Sequence, residues 1–175
     1  MTSTRSYKQI AKLIICMGVS GSGKSTVAKH LAEAFDLEFL EADDFHPKDN
    51  IQHMASGKAL TDEMRVPWVK ALCSQIQSSD KSLVMAFSGL SFRHRQMMRD
   101  LARPCQFIHL AGPFDLILER MKKREHFMPP ELLRSQFEAL DSTDQEPDIS
   151  PISIDSHLPD ILEAAERISK RFLAP

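Results

Sequence analysis

The run Gly18-Val19-Ser20-Gly21-Ser22-Gly23-Lys24-Ser25 carries the clearest chemistry in the chain. It fits G-x-x-x-x-G-K-[ST], a phosphate-binding loop. Its glycines let the backbone turn successive N–H groups inward, and the N-terminus of a following helix adds partial positive charge at the same point. That ring of donors suits a triphosphate. Lys24 is placed to reach the β- and γ-phosphates, and Ser25 to offer its hydroxyl to Mg²⁺. Gly18, Ser20, Gly21, Ser22, Gly23, Lys24, Ser25 and Thr26 are therefore the candidate nucleotide-binding residues. The alternative, a chance glycine turn, is opposed by the flanks: an apolar run at 13–17 before the loop and Val27, Leu31, Ala34 and Phe35 at helical spacing after it.

Two further groups have the right residue types. Glu41, Asp43 and Asp44 stand close together with His46 just behind. A carboxylate facing a phosphate loop holds Mg²⁺ or accepts the proton of an attacking hydroxyl, and it also caps helices. Asp43 reads as base or as cap, Asp44 as cap. The second group is Arg120, Lys122, Lys123 and Arg124, ahead of Pro129-Pro130. Arg120 and Arg124 share a helix face, and the prolines end that helix. The segment 119–137 reads as a basic lid that closes over a transferring phosphoryl group and excludes water, or as a solvated helix face.

These residues need a scaffold. Apolar runs predict strands over 12–17, 38–41, 82–87, 106–110 and 151–154. Helical spacing predicts helices over 25–35, 48–55, 62–78, 93–102, 113–123, 130–140 and 158–172. Strands alternating with helices give an α/β fold, a parallel sheet covered on both faces, with ligands at the carboxyl ends of the strands. The stretches to watch are thus Gly18 onward, Glu41 to Asp44, Ser88-Gly89 and Gly112.

The 175 residues suit one domain with a sizeable core. A net charge of −2 gives no footing for nucleic acid or an anionic membrane, so an anionic substrate needs a local cluster of cations. No apolar stretch approaches membrane-spanning length. Residues 1–9 are polar and read as a short arm rather than a secretory signal. Cys16, Cys73 and Cys105 have no metal spacing and read as small core residues in a reducing compartment, the cytoplasm.

Several blocks resemble the small, thermoresistant-type gluconate kinases. They are Met17 to Thr26, Glu41-Ala42-Asp43-Asp44-Phe45-His46-Pro47, the stretch from Asn50 to Trp68 with Met54-Ala55-Ser56-Gly57 and Arg65-Val66-Pro67-Trp68, then His126-Phe127-Met128-Pro129 and Leu133 to Leu140. The matched blocks reach from about Leu13 to Leu140. The resemblance implies a three-layer α/β/α, nucleoside-monophosphate-kinase-like fold with a five-stranded parallel sheet and a helical lid. It implies transfer of the γ-phosphoryl of ATP, with Mg²⁺, to the 6-hydroxyl of D-gluconate, and a homodimer. Asp43 would hold the acceptor hydroxyl and act as base, beside Lys24 and Arg124 as catalytic cations. Glu41 and Ser25 would lie at the metal. His46, Arg65, Arg95, His126 and Gln136 would face the sugar acid, and Arg120 and Arg124 the phosphates. Adenine contacts would come from the lid's flank and the 141–150 loop. Arg65 has an alternative partner in Asp62, and Trp68 reads as core. At one place the chain departs from the family: Ser91 stands where a Lys is usual and His94 where a Tyr is usual, while Arg95 keeps its position. Arg93 is no replacement for that lysine, since two residues along a helix turn it away by about 200°. The runner-up readings are a kinase for another small sugar acid and a non-catalytic ATP-binding regulatory protein.

Overall fold

The computed structural model describes residues 10–123 and 128–175; the 1–9 arm and the lid candidates Arg124 and His126 lie outside the described residues. Five parallel strands are formed by the described residues: β1 (Leu13–Met17), β2 (Glu38–Glu41), β3 (Leu83–Ala86), β4 (Cys105–Ala111) and β5 (Ile149–Ser153). Their order in the sheet is β2-β3-β1-β4-β5. Between and after them run α1 (Lys24–Phe35), α2 (Lys48–Ala55), α3 (Asp62–Gln77), α4 (Phe92–Arg99), α5 (Phe114–Lys122), α6 (Leu133–Ala139) and α7 (Leu158–Leu173).

The central strand shows why the sheet is covered on both faces. All of β1 is buried. Ile14 and Cys16 join a core with Val27, Leu31, Ile117 and Ile161, from α1, α5 and α7. Leu13, Ile15 and Met17 join a second core with Trp68, Leu72 and Met98, from α3 and α4. The two-residue period of a strand sends neighbours to opposite faces, so an unbroken apolar run is what a doubly covered strand requires. Burial pushes the Cys16 thiol up to about 12, so it stays protonated and inert.

The crossovers place the loops. The chain leaves β1 toward β2 on one side and reaches β4 on the other, so the loop after β1 lies where the strand order diverges, a natural ligand crevice. Two elements end differently from expectation. Helix α4 stops at Arg99, and Ala102 adopts φ 52° in the turn before β4. Residues Pro130–Leu132 form a 3₁₀ turn ahead of α6, since Pro129 and Pro130 supply no backbone N–H. A further 3₁₀ turn, Ala42–Phe45, follows β2 and carries the acidic cluster.

Candidate active site

The phosphate loop is shaped by its glycines at two points. Gly21 has φ 82°, and a Cβ there would stand 2.6 Å from Met121 Cγ, so the loop packs against α5 with no room for a side chain. Gly23 has φ 99° and caps α1, and a Cβ there would meet nothing within 4 Å. One glycine thus gives close approach; the other leaves its surroundings open at a helix N-terminus. Lys24 Nζ donates to the Val19 carbonyl at 2.9 Å, folded over the loop it serves. Ser22 is buried with its hydroxyl unpaired among the described residues. Thr26 is exposed on the first turn of α1.

The acidic cluster is anchored from behind. Trp68 on α3 donates its indole N–H to the Ala42 carbonyl at 2.7 Å. His46 stacks on the same indole, with ring centroids 4.0 Å apart and planes 16° from parallel. Both ends of the 42–46 turn are therefore fixed on one rigid side chain, and Asp43 between them is held in place. His46 Nε2 is 3.9 Å from Asp43 Oδ1. Burial pushes the His46 imidazole down to about 4, with Asp43 opposing and Arg65 assisting, so it is neutral near pH 7. Burial raises the Glu41 carboxyl above its ordinary value; the Ser25 hydroxyl and Lys24 pull the other way, while Asp43 and Asp44 add to the rise. Ser25 and Lys24 at the start of α1 are thus close enough to Glu41 at the end of β2 to act on its charge.

A single pocket joins the two. It is lined by Ser20 and Lys24 from the phosphate loop, Asp43 and His46 from the 3₁₀ turn, and Arg65 and Trp68 from α3. Ser88 beyond β3 and Ser135 and Gln136 on α6 complete its polar wall, and Met54, Leu60, Leu90, Met128 and Leu132 its apolar wall. Gln136 does more than face the pocket. Its amide oxygen accepts the Ser20 N–H at 2.6 Å and its nitrogen donates to Met128 Sδ at 3.2 Å, tying α6 to the phosphate loop.

Arg65 lines the pocket, and no hydrogen bond or ion pair engages its guanidinium among the described residues. Burial lowers its pKa from the usual arginine value, with the Asp62 charge opposing. The alternative Asp62–Arg65 pairing does not form: Arg93 of α4 donates to one Asp62 oxygen at 2.8 Å, and His94 Nε2 lies 3.0 Å from the other without a hydrogen bond to it.

One expectation, Arg95 at the sugar acid, meets a different arrangement. Arg95 is fully buried and faces inward. It donates to Glu146 Oε2 at 3.0 Å, to the Gly89 and Leu90 carbonyls at 2.7 and 2.9 Å, to the Ser142 carbonyl at 3.4 Å, and to Glu146 Oε1. Those contacts use all five guanidinium N–H groups, so nothing is left for a ligand. The 141–150 loop, expected near adenine, is pinned by charge and by one backbone bond: Arg99 pairs with Asp148 at 2.7 Å and with Glu146 at 2.5 Å, and Asp141 accepts the Phe92 N–H at 2.7 Å. Arg120, expected on the phosphates, uses one N–H on the Ile154 carbonyl at 3.1 Å, just past the end of β5, and has others to spare. Trp68, read as core, is core and pocket wall together. The apolar wall from Met54 and Leu60 was not singled out; the only signal was that the block containing them lies between the acidic turn and Arg65.

The chain matches the AAA domain family over residues 13–147. It is 36% identical over 164 residues to the thermoresistant gluconokinase of Escherichia coli (strain K12), covering 91% of this chain and 94% of that protein. The thermosensitive gluconokinase of the same organism is 38% identical over 154 residues, covering 85% and 82%. The crystal structure of a gluconokinase from Sinorhizobium meliloti 1021 superposes with a TM-score of 0.84 at 35% identity, covering 93% of each chain.

Proposed function

This chain belongs to the gluconokinase family of P-loop kinases, and from that premise we infer that it transfers the γ-phosphoryl group of ATP to the 6-hydroxyl of D-gluconate, giving 6-phosphogluconate and ADP. The observation that carries the reading is the shared pocket, where the phosphate-loop residues Ser20 and Lys24 meet Asp43, His46 and Arg65. Donor and acceptor machinery open onto one space, as in-line transfer requires.

Each residue has a role that its surroundings support. Asp43 accepts the proton of the attacking hydroxyl as the new O–P bond forms and the bond from the γ-phosphorus to the β–γ bridging oxygen breaks. Lys24 and the loop N–H groups, with the α1 N-terminus, compensate the charge gathering on the phosphates. His46 is neutral, so it serves the sugar hydroxyls rather than the carboxylate. The unengaged guanidinium of Arg65 takes the carboxylate, where a planar fork fixes orientation. The hydroxyl of Ser25 and the carboxylate of Glu41 are hard oxygen donors that fit Mg²⁺, which when bound offsets phosphate charge. Arg124 as second catalytic cation, Arg120 on the nucleotide and His126 on the sugar acid rest on the family resemblance, as do a homodimer, a cytoplasmic address and one kinase unit with its lid over 119–137. No helix among the described residues is long and apolar enough to cross a membrane.

A coupled ADP-release assay across gluconate, other aldonates and shikimate tests this. Gluconate is expected to give the highest kcat/KM. ADP release only with another sugar acid would replace the acceptor, and ATP binding without any acceptor-dependent ADP would replace the enzyme with a nucleotide-binding regulator.

A further inference from the structure

One side chain of α6 is bonded to the phosphate loop and also stands in the wall of the acceptor pocket. Near the start of that loop three N–H groups are tied inside the protein. Gly18 N–H donates to the Ser88 carbonyl at 3.1 Å, and Ser22 N–H to the Val19 carbonyl at 3.3 Å. Ser20 N–H donates to Gln136 Oε1 at 2.6 Å. The first two ties run from backbone to backbone and are set by the fold. The third reaches a side chain, and both residues are buried. A buried N–H needs an acceptor, so the course of the loop at Ser20 depends on which end of the Gln136 carboxamide faces it. The oxygen end accepts; the nitrogen end is itself a donor and would turn the Ser20 N–H away.

The partner of the nitrogen end decides how firmly the oxygen end is held there. Nε2 carries two hydrogens, and it donates to Met128 Sδ at 3.2 Å. A thioether is a weak acceptor. The second N–H has no bonded partner among the described residues, and Gln136 lines the same pocket as Asp43, His46 and Arg65. A polyhydroxy acid brings hydroxyl oxygens into that space, and these accept more strongly than sulfur does. Hydrogen bonds in series polarise one another, so an amide that donates more strongly at nitrogen accepts more strongly at oxygen. An acceptor bound at Nε2 therefore tightens the hold of Oε1 on the Ser20 N–H, at the other substrate's site.

We propose that Gln136 is a positioning residue that couples the two substrate sites: a hydroxyl of the sugar acid accepts from its Nε2, which fixes Oε1 on the Ser20 N–H and sets the phosphate loop for ATP. The inference rests on the gluconate kinase reading and adds to it an interdependence of the two substrates. Coupling of this kind is reciprocal, so ATP improves the binding of the sugar acid by the same factor.

The test is calorimetric titration of a non-hydrolysable ATP analogue with Mg²⁺ into wild type and Q136M, each with and without saturating gluconate. Methionine fills much the same space and offers no N–H. In wild type, gluconate is expected to tighten the analogue about three- to tenfold, the range that one hydrogen bond contributes. The analogue should tighten gluconate by the same factor. In Q136M that factor is expected to fall to within about 1.5-fold of one. A purely structural role for Gln136 would weaken the analogue alike with and without gluconate and leave the factor unchanged. A wild-type factor of about one, or a factor retained in Q136M, overturns the proposal. If Q136M does not fold, hydrogen exchange in wild type decides: gluconate alone should slow exchange of the Ser20 amide about threefold or more, and an unchanged rate overturns the proposal. Wild-type turnover separates the layers. A wild type that releases no ADP with any sugar acid overturns the function and this inference together, whereas an active wild type without coupling overturns this inference alone.

Discussion

Arg65 and Arg95 are both withdrawn from solvent, yet their guanidinium groups meet opposite surroundings. Arg95 has an acceptor for each of its five N–H groups, supplied by Glu146 and three backbone carbonyls. Arg65 has a pocket in front of it and no bonded partner among the described residues. A buried polar group left unpaired is costly, so an arginine that stays unpaired at a cavity wall is one whose partner arrives from outside. The cluster around Arg95, with Arg99, Glu146 and Asp148, is closed and belongs to the scaffold; Arg65 lies on the wall of the pocket it shares with Asp43, His46 and Lys24, where our proposal puts the reaction. The same residue type is bonded throughout in one place and left for the proposed acceptor in the other, and what differs is the count of satisfied donors.

Breaking one member of each cluster should separate those jobs. The largest effect is expected from D43N, which removes the proposed proton acceptor. Its kcat should fall about 10²- to 10⁴-fold with ATP affinity near wild type, read by turnover and by nucleotide titration. Unchanged kcat would move Asp43 out of the open cluster's chemistry. Next comes R95A on the closed side. Removing one partner of a buried ion pair costs about 3–5 kcal/mol, seen as a lower urea midpoint, while the folded fraction should keep its gluconate KM. A large KM change at full stability would return Arg95 to the substrate. R65A should do the reverse, raising the gluconate KM about 10- to 100-fold with a near-native urea midpoint. The smallest effect is a slope. Burial pushes the Glu146 carboxyl up, but the hydrogen bonds and charges of Arg95 and Arg99 outweigh it and hold the carboxyl below its usual 4.5. A carboxyl lowered by folding contributes stability that is present above 4.5 and lost as pH falls through its depressed folded value. Wild-type stability should therefore drop in that acid window, and E146Q should show a shallower drop; equal slopes would mean that the closed cluster does not depend on this charge.

The contrast also explains what could be read early. The phosphate loop was legible because its function is local: consecutive residues bend, point N–H groups inward and start a helix. The strand and helix pattern was legible for the same reason, since the period of burial is written into neighbouring residues such as Leu13 to Met17. Asp43 and His46 were visible because they follow a strand end. Arg95 was not separable from Arg65 at that level, because its deciding partner, Glu146, lies 51 positions along the chain. The anchoring of the Ala42–Phe45 turn by Trp68 spans 26 positions, and the tie from Gln136 to Ser20 spans 116.

By itself, then, the order of amino acids determined the doubly covered parallel sheet, the phosphate cradle at its central strand and the residue types that could work beside it. Only the packing of α3 against α4, and of α6 against the phosphate loop, decided which of those charges cancel one another and which stay open to a ligand. The reason is that backbone geometry and burial period are short-range, whereas the pairing of a charge depends on which distant side chain the fold brings within hydrogen-bond reach.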